Sequence, residues 1–187
     1  MTITYSKAFS EFEAKETAIK VEGMENFEKV GCVGSIDETM ETKTVTKKCE
    51  GIVIKSTTRA TGNGEITVSL HMRYDLYISI LGMEDKTLKN GVVGYGRTSK
   101  HKTFCMVSKV LDEDGVVKYI AYPNCVASSA IPRKIENGAE EVAEVELTIA
   151  VSPDENGFGK YEAVDILLDE TIKGQWMTAF TPDLVKA

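Results

Sequence analysis

The chain is 187 residues long, and its 29 acidic and 22 basic side chains leave a net charge of −7. At about 150 residues per domain, this length predicts one domain and at most two. Hydrophobic residues make up 42% of the chain and charged residues 27%, which excludes wholesale disorder and a collagen-like or mucin-like chain. The acidic balance argues against an ordinary duplex-binding protein, because phosphate contacts require clustered Lys and Arg.

No apolar run approaches the roughly 20 residues of a membrane span, and the amino terminus lacks a basic start followed by a hydrophobic stretch. We therefore expect cytoplasmic synthesis and folding, with no membrane partner. The four cysteines form no CxxC pair, and the chain has only two histidines. Each cysteine lies in or beside an apolar stretch, so reduced thiols are favoured over a zinc site, and no metal or cofactor is expected. These thiols are Cys32, Cys49, Cys105 and Cys125.

The dominant hydrophobic periodicity is two, which is typical of strands with one buried face. It is clearest over Glu65–Met72 and returns over Glu144–Val151. Turn residues at Thr61–Gly64 predict a hairpin that joins a strand at 51–59 to the first of these strands. A second hairpin is predicted around Asp112–Gly115, between strands at 103–111 and 116–122.

A third turn cluster at Pro153–Gly157 predicts antiparallel pairing of the 144–151 strand with Lys160–Leu168. Between the strands, the spacing of Tyr74, Tyr77, Ile78 and Leu81 predicts one short amphipathic helix that ends at a glycine. The pattern as a whole predicts a mainly β protein: an antiparallel β-sandwich or barrel of seven or eight strands with one flanking helix.

Long polar segments surround this predicted core. Residues 1–28 are acidic and weakly patterned, so they are assigned to an amino-terminal arm, and residues 171–187 to a carboxyl-terminal arm. The β-domain is assigned to residues 29–170. Within it, Asp37–Glu50 has little apolar content, and a polar loop this long is unusual unless it is functional or disordered. Such arms and loops are suited to pairing between identical subunits.

The sequence contains no complete catalytic motif. Gly91–Thr98 approaches a phosphate-binding loop, but Arg97 replaces its lysine and no apolar strand precedes it. There is no G-x-S-x-G or H-E-x-x-H motif, and His71 lies on the polar face of its strand, where a solvated residue is favoured over a general base. We therefore expect that the chain is not an enzyme.

The order of segments from about residue 25 to residue 187 resembles the major tail (tail tube) proteins of long, non-contractile-tailed bacteriophages. The residues that carry this resemblance are the run Lys29–Thr39, the polar loop after it, the turn around Gly62–Gly64, the helix ending Leu81-Gly82-Met83, the strands Lys118–Cys125 and Leu147–Val151, and the end Phe180–Asp183. The first 24 residues have no counterpart in this resemblance.

The resemblance implies a β-sandwich flanked by a helix, six copies of which form a ring, with stacked rings making a tube in the virion tail for DNA ejection. It implies self-assembly, contacts with tape measure, tail terminator and distal tail proteins, and viral DNA that passes without specific binding. Assembly would take place in the host cytoplasm. The long loop would contact neighbouring subunits through Asp37, Glu38, Glu41, Lys43, Lys47, Lys48 and Glu50.

Polar strand faces are candidates for the lining of the tube, or for plain solvent exposure, because an acidic wall repels DNA. Their residues are Glu65, Thr67, Ser69, His71, Glu144 and Glu146. Two other interpretations stay open. One is a tube protein of a contractile injection or secretion system, which would share the fold and differ in having a sheath. The other is a small ligand-binding β-barrel, or an enzyme that uses Gly91–Thr98.

Overall fold

A computed structural model describes residues 5–129, 133, 135–138 and 140–186. Eight strands form one antiparallel sheet. They are β1 (Glu11–Val21), β2 (Glu28–Lys29), β3 (Gly31–Cys49), β4 (Ile52–Met72), β5 (Phe104–Asp112), β6 (Val117–Ala127), β7 (Val145–Ser152) and β8 (Tyr161–Val164). Two α-helices, α1 (Tyr74–Ile80) and α2 (Glu170–Ala179), and two short 3₁₀ turns at Asp165–Leu167 and Pro182–Val185 complete the fold.

The sheet curls into a barrel that is closed at one end. Its strand order is β2-β1-β5-β6-β7-β4-β3, with β8 paired to β6. Val30 is the single residue between β2 and β3, and its N–H donates to the Thr17 carbonyl at 3.1 Å while its carbonyl accepts from the Arg73 N–H at 2.8 Å. One continuous chain segment therefore links β1 to β4. The expectation of a mainly β sandwich or barrel with a flanking helix is confirmed.

Alternation along the strands builds the core as expected. Ile66, Val68 and Leu70 of β4 are buried, and so are Leu147, Ile149 and Val151 of β7. The hairpin at Asp112–Gly115 joins β5 to β6, as predicted. The inner faces of these strands and one face of α1 share the main hydrophobic cluster. Burial of large apolar side chains at about 1.5–3 kcal/mol each makes this cluster the main source of stability.

The predicted helix is confirmed as α1, and its buried face agrees with the prediction at Tyr77 and Leu81 but not at Tyr74. Leu76, Tyr77 and Ile80 are buried, whereas Tyr74 is 60% exposed. Tyr74 is the first helical residue, and the chain has just left β4 at that point, so its side chain has not yet turned toward the core. The helix ends where Gly82 adopts a φ of 61°.

The predicted amino-terminal arm differs from the structure. Residues 11–21 form β1, which pairs with β5 along its whole length. Thr17, Ile19 and Val21 face the core, but this alternation is too short to be conspicuous among the glutamates that precede it. Residues 1–4 of this arm lie outside the described residues.

The predicted carboxyl-terminal arm, residues 171–187, forms most of α2 and then the 3₁₀ turn Pro182–Val185. Residue 187 lies outside the described residues. Asp169 caps the helix by accepting a hydrogen bond from the Ile172 N–H at 3.0 Å. Trp176, only 1% exposed, packs with Phe180 on the outer side of β5 and β6, and its indole N–H donates to the Ile120 carbonyl at 3.3 Å. This second cluster covers one outer face of the barrel.

Two predicted hairpins are wrong. The residues Thr61–Gly64 do not turn the chain but lie within β4, and the turn between β3 and β4 falls at Glu50 and Gly51. The segment Lys160–Leu168 does not pair with β7, because the edges of β7 are taken by β4 and by β6. Instead β8 pairs with the first half of β6, from Lys118 to Ala121, which β7 leaves free.

The four thiols fall into two classes that a reagent can separate. Cys32 and Cys49 are exposed, whereas burial raises the pKa of Cys105 to about 12 and also raises the pKa of Cys125. At pH 8, only roughly one Cys105 side chain in 10,000 is a thiolate. We expect a thiol-reactive dye to modify two cysteines quickly in the folded protein and all four in denaturant. Fast reaction of four thiols under native conditions would contradict this packing.

Candidate assembly interface

The most exposed part of the fold is a two-stranded ribbon, residues 42–60, formed where β3 and β4 run beyond the rest of the sheet. Every residue from 41 to 60 is exposed. β4 pairs with β7 only over Gly64–Leu70, so the ribbon strands pair with each other alone. At about 3.3 Å per residue the ribbon projects roughly 25 Å from the barrel. The prediction of a loop at Asp37–Glu50 is therefore wrong, because residues 37–49 are strand and Glu50 begins the turn.

The ribbon turn is well formed for a hairpin. Glu50 and Gly51 have φ values of 50° and 83°. Two successive positive φ values are the pattern of a type I′ turn, whose twist matches that of the strands it joins. Both faces of this hairpin are solvated, so its strands have no apolar alternation. The hairpin was therefore not predicted from the sequence.

The two faces of the ribbon differ in charge. The basic face carries the directly opposed pairs Lys43–Arg59 and Lys47–Lys55, with Val45 opposite Thr57 between them. The hydroxyl face carries Thr44 opposite Thr58, whose Oγ1 atoms lie 2.8 Å apart, flanked by the pairs Thr42–Ala60 and Thr46–Ser56. Opposed strand residues point to the same face, so this separation follows from the register.

The basic face is electrostatically unbalanced in the single chain. Like charges directly opposite on a strand pair destabilise it. Among the described residues, none of the ribbon cations Lys43, Lys47, Lys48, Lys55 and Arg59 forms an ion pair. Glu50 is the one acidic residue of the ribbon. A carboxylate-bearing surface of another molecule would relieve this repulsion.

The structure divides the seven predicted loop residues among three places. Lys43, Lys47, Lys48 and Glu50 lie in the ribbon, with Glu41 at its base. Asp37 faces outward from the barrel, opposite Thr67, and Glu38 faces inward, opposite Ile66. A role of these residues between subunits stays a prediction.

Glu38 has structural partners within its own chain. The Tyr122 hydroxyl donates to its carboxylate, and Lys160 Nζ lies 2.8 Å from it and 2.9 Å from Glu162. Burial and the hydrogen bond to Glu38 both raise the pKa of Tyr122. For Lys160, burial lowers the pKa, but the hydrogen bonds to both glutamates outweigh burial and the pKa is raised. Tyr122 is thus held as a neutral donor and Lys160 as a cation.

The predicted polar strand face is a continuous surface on the outside of β3, β4 and β7, which we call the acidic face. Glu65, Thr67, Ser69 and His71 share one side of β4, and Ser69 lies opposite Glu146 on β7. Glu144 approaches β3 beside Gly34. Its carboxylates are those of Asp37, Glu65, Glu144 and Glu146, and among the residues described none of them forms an ion pair.

Sequence reasoning predicted a strand at 51–59, which the structure confirms as the start of β4, but it did not assign that strand to the basic face. Lys55 and Arg59 belong to it as much as Lys43 and Lys47 do. It also missed the exposed apolar side chains of the ribbon tip, Ile52, Val53 and Ile54. The available signal is the length of the polar stretch on both sides of Glu50–Gly51, which suits a hairpin centred there better than a loop.

The base of the ribbon is wedged against the loop that precedes β8. Thr61, Gly62 and Asn63 bulge from β4 opposite the single residue Glu41. Gly62 has a φ of 82°, and a Cβ on Gly159 would lie 1.8 Å from the Gly62 carbonyl oxygen. Backbone therefore touches backbone at this point, and this contact sets the direction in which the ribbon leaves the barrel.

The loop that resembles a phosphate-binding loop has no suitable setting. Gly91–Thr98 lies between α1 and β5, and the next regular element is a strand rather than a helix. Among the described residues, no three His, Cys, Asp or Glu side chains are grouped so that they could hold a metal ion. The same residues include no helix long and apolar enough to cross a membrane. That the chain is not an enzyme stays a prediction.

The contact at the ribbon base predicts the effect of one added methyl group. We expect Gly159→Ala to lower the free energy of unfolding by about 1–3 kcal/mol, because the backbone at Gly62 must move to admit it. The matched control is Gly174→Ala in α2, where a Cβ meets nothing within 4 Å. It should raise stability by about 0.5–1 kcal/mol. Urea unfolding measures the stability of both variants. Equal free energies of unfolding would contradict the close backbone contact between Gly62 and Gly159.

No protein-family model and no curated protein matches this sequence. Two solved structures with low similarity come from the anti-feeding prophage. Its tube-terminating cap gives a TM-score of 0.48 at 12% identity, over 88% of this chain and 99% of that chain. A chain of its six-fold symmetrised baseplate gives a TM-score of 0.42 at 11% identity, over 78% and 92% of the two chains.

Proposed function

We propose that the chain is a structural subunit of a phage-tail-like tube. In this proposal six copies form a ring, stacked rings enclose a channel, and the ribbon connects one copy to another. The observation that carries the proposal is the ribbon itself, which is about 20 residues long and entirely exposed, and whose strands pair only with each other among the residues that the structure describes. An isolated two-stranded hairpin is marginally stable in water, so a partner surface is needed to hold it.

The two outer sides of the barrel support the same proposal. α2 covers the side formed by β5 and β6 with Trp176 and Phe180. The opposite side is the acidic face, which no helix covers among the described residues and which has four carboxylates. The parts of β3 and β4 that form it, Gly31–Thr39 and Glu65–Met72, contain no lysine or arginine. We propose that this face lines the channel. Phosphate repulsion over such a wall would let DNA pass without adhering.

The tube could belong to either of two classes of particle. The sequence resemblance is to tail tubes of non-contractile phages, and the alternative is the tube of a contractile injection system. The solved structures named above come from a contractile injection system, but likenesses this distant do not choose between the classes. The physical difference is a sheath around the tube, so co-purification of a sheath protein with native particles would favour the contractile class.

The ribbon can be removed without cutting the barrel. Replacing residues 43–59 by Asn-Gly joins Thr42 to Ala60 through a two-residue hairpin turn and keeps the paired residues from Ser35 to Met40. Because the ribbon buries nothing in its own chain, we expect the free energy of unfolding to change by only about 1 kcal/mol. We expect the variant to lose ring stacking, since every subunit loses its connecting arm at once.

The measurement is negative-stain microscopy with light scattering over a range of concentrations. The unmodified protein should form rings or tubes when concentrated, and the shortened variant should remain as monomers or single rings. Lys89→Glu, which reverses one exposed charge in the loop before β5, is the control and should assemble normally. Monomers at every concentration of the unmodified protein would contradict the proposed function. Normal tubes from the shortened variant would show that the ribbon is not needed for ring stacking.

A further inference from the structure

A groove of about 510 Å³ opens in the barrel wall between the start of β1 and the start of β3. Its floor is apolar and comes from the inner side of the sheet. The residues that contribute most of this apolar lining are Phe12, Ala14, Ile36, Val110, Ile120 and Tyr122. Phe12 is 76% exposed at the mouth of the groove. An apolar floor beneath an exposed aromatic ring is suited to burying side chains of another segment.

Both walls of the groove are strand edges that lack a strand partner among the described residues. Over Glu11–Glu16, β1 pairs only with β5. β3 pairs only with β4. β1 and β3 are held together at Val30 and diverge beyond it, so these two strand edges face each other across the groove. Unpaired edges carry backbone N–H and C=O groups that can accept an added strand.

The mouth of the groove is acidic. Three carboxylates, those of Glu11, Glu13 and Glu38, line it beside the amine of Lys160. Glu38 and Glu11 are engaged by Lys160 and Lys118, respectively. Glu13 has only an exposed pair with Lys15 at 3.4 Å, two residues along the same strand. Such a pair contributes little, so Glu13 is available to a cation of another molecule.

The ribbon tip has the complementary chemistry. Ile52, Val53 and Ile54 are 70%, 51% and 57% exposed against the described part of the chain. Lys47 and Lys55 flank them on the basic face. The tip also presents two strands with free outer edges. A ribbon that is continuous with β3 and β4 cannot fold back onto the base of β3, so the complementary groove must be on a second copy.

We propose that the ribbon tip of one copy inserts into the groove between β1 and β3 of a second copy. Its apolar residues cover the groove floor, its backbone pairs with a free strand edge, and Lys55 contacts Glu13. This inference rests on the proposed function, since it names the surface that receives the connecting arm. It goes beyond that function in assigning the groove, which the tube proposal does not require.

Cysteine cross-linking tests the contact directly, because Cys49 is already exposed at the ribbon tip. One protein carries Cys32→Ser and keeps Cys49. The other carries Cys32→Ser, Cys49→Ser and Ala14→Cys in the groove. The two are mixed, assembled and oxidised mildly. We expect a disulfide between residues 49 and 14, found by peptide mass spectrometry, at least about tenfold more abundant than with Glu113→Cys in place of Ala14→Cys, because proximity raises the local thiol concentration.

Charge reversal provides the second test. Lys55→Glu and Glu13→Lys should each raise the concentration needed for assembly by roughly five- to tenfold, and the two changes together should restore it to within about twofold. Lys89→Glu is the control and should change nothing.

The outcomes separate the two proposals. Tubes that form without the 49–14 disulfide, or with equal linkage to residue 113, would overturn the proposal that the groove receives the ribbon tip. They would leave the proposal of a tube subunit standing. Charge changes that add without rescue would also overturn it. Failure of the unmodified protein to assemble at all would overturn both.

Discussion

The ribbon exists because β3 and β4 are much longer than the sheet that they help to build. They contain 19 and 21 residues, whereas their neighbour β7 contains 8. Only the part of β4 that pairs with β7, Gly64–Leu70, has apolar residues at every second position, and the core holds this part. The part that lies in the ribbon must be stabilised by hairpin pairing alone, which is marginal in water. The chain thus combines a well-buried barrel with an exposed arm, which in our proposal is stabilised by contact with another copy.

Charge is distributed in the same manner. The whole chain is acidic, yet the ribbon has five basic side chains and one acidic side chain. The acidic face and the groove mouth carry carboxylates of the barrel, whereas the cations of the ribbon extend from its base to about 20 Å beyond it, at about 3.3 Å per residue. Such separation of sign favours head-to-tail association of copies, because each copy offers one surface of each sign. The association should weaken as salt is added, since exposed charges are screened.

Sequence reasoning worked where burial imposed a period. β4 from Glu65, β7, the β5–β6 hairpin and α1 each bury one face, and each was predictable. It failed for the first strand of the ribbon, because neither face of 42–49 is buried and a polar strand of this kind is indistinguishable from a loop. The strand at 51–59 was predicted, but its pairing with β3 was not. α2 and β1 were missed for related reasons: Trp176 is isolated in a polar helix, and the inward residues Thr17, Ile19 and Val21 follow a run of glutamates.

The register between β3 and β4 in the ribbon could not be predicted from the sequence either. The opposed pairs Lys43–Arg59 and Lys47–Lys55 depend on a turn at Glu50–Gly51, and turn residues at Thr61–Gly64 competed with that position. The latter instead form the bulge at the ribbon base. The candidate polar face fared better, because Glu65, Thr67, Ser69 and His71 follow from the period of a single strand. Its extension to Asp37 on β3 required the strand pairing.

The central claim is that the ribbon becomes ordered through contact with another copy. Hydrogen–deuterium exchange of the monomer and of the assembled protein measures this most directly, since amide protection reports local stability. The account predicts that residues 42–60 exchange quickly in the monomer and slowly in the assembly, while Ile66–Leu70 stay protected in both. Ribbon amides that exchange equally fast in both states, or that are already fully protected in the monomer, would contradict it.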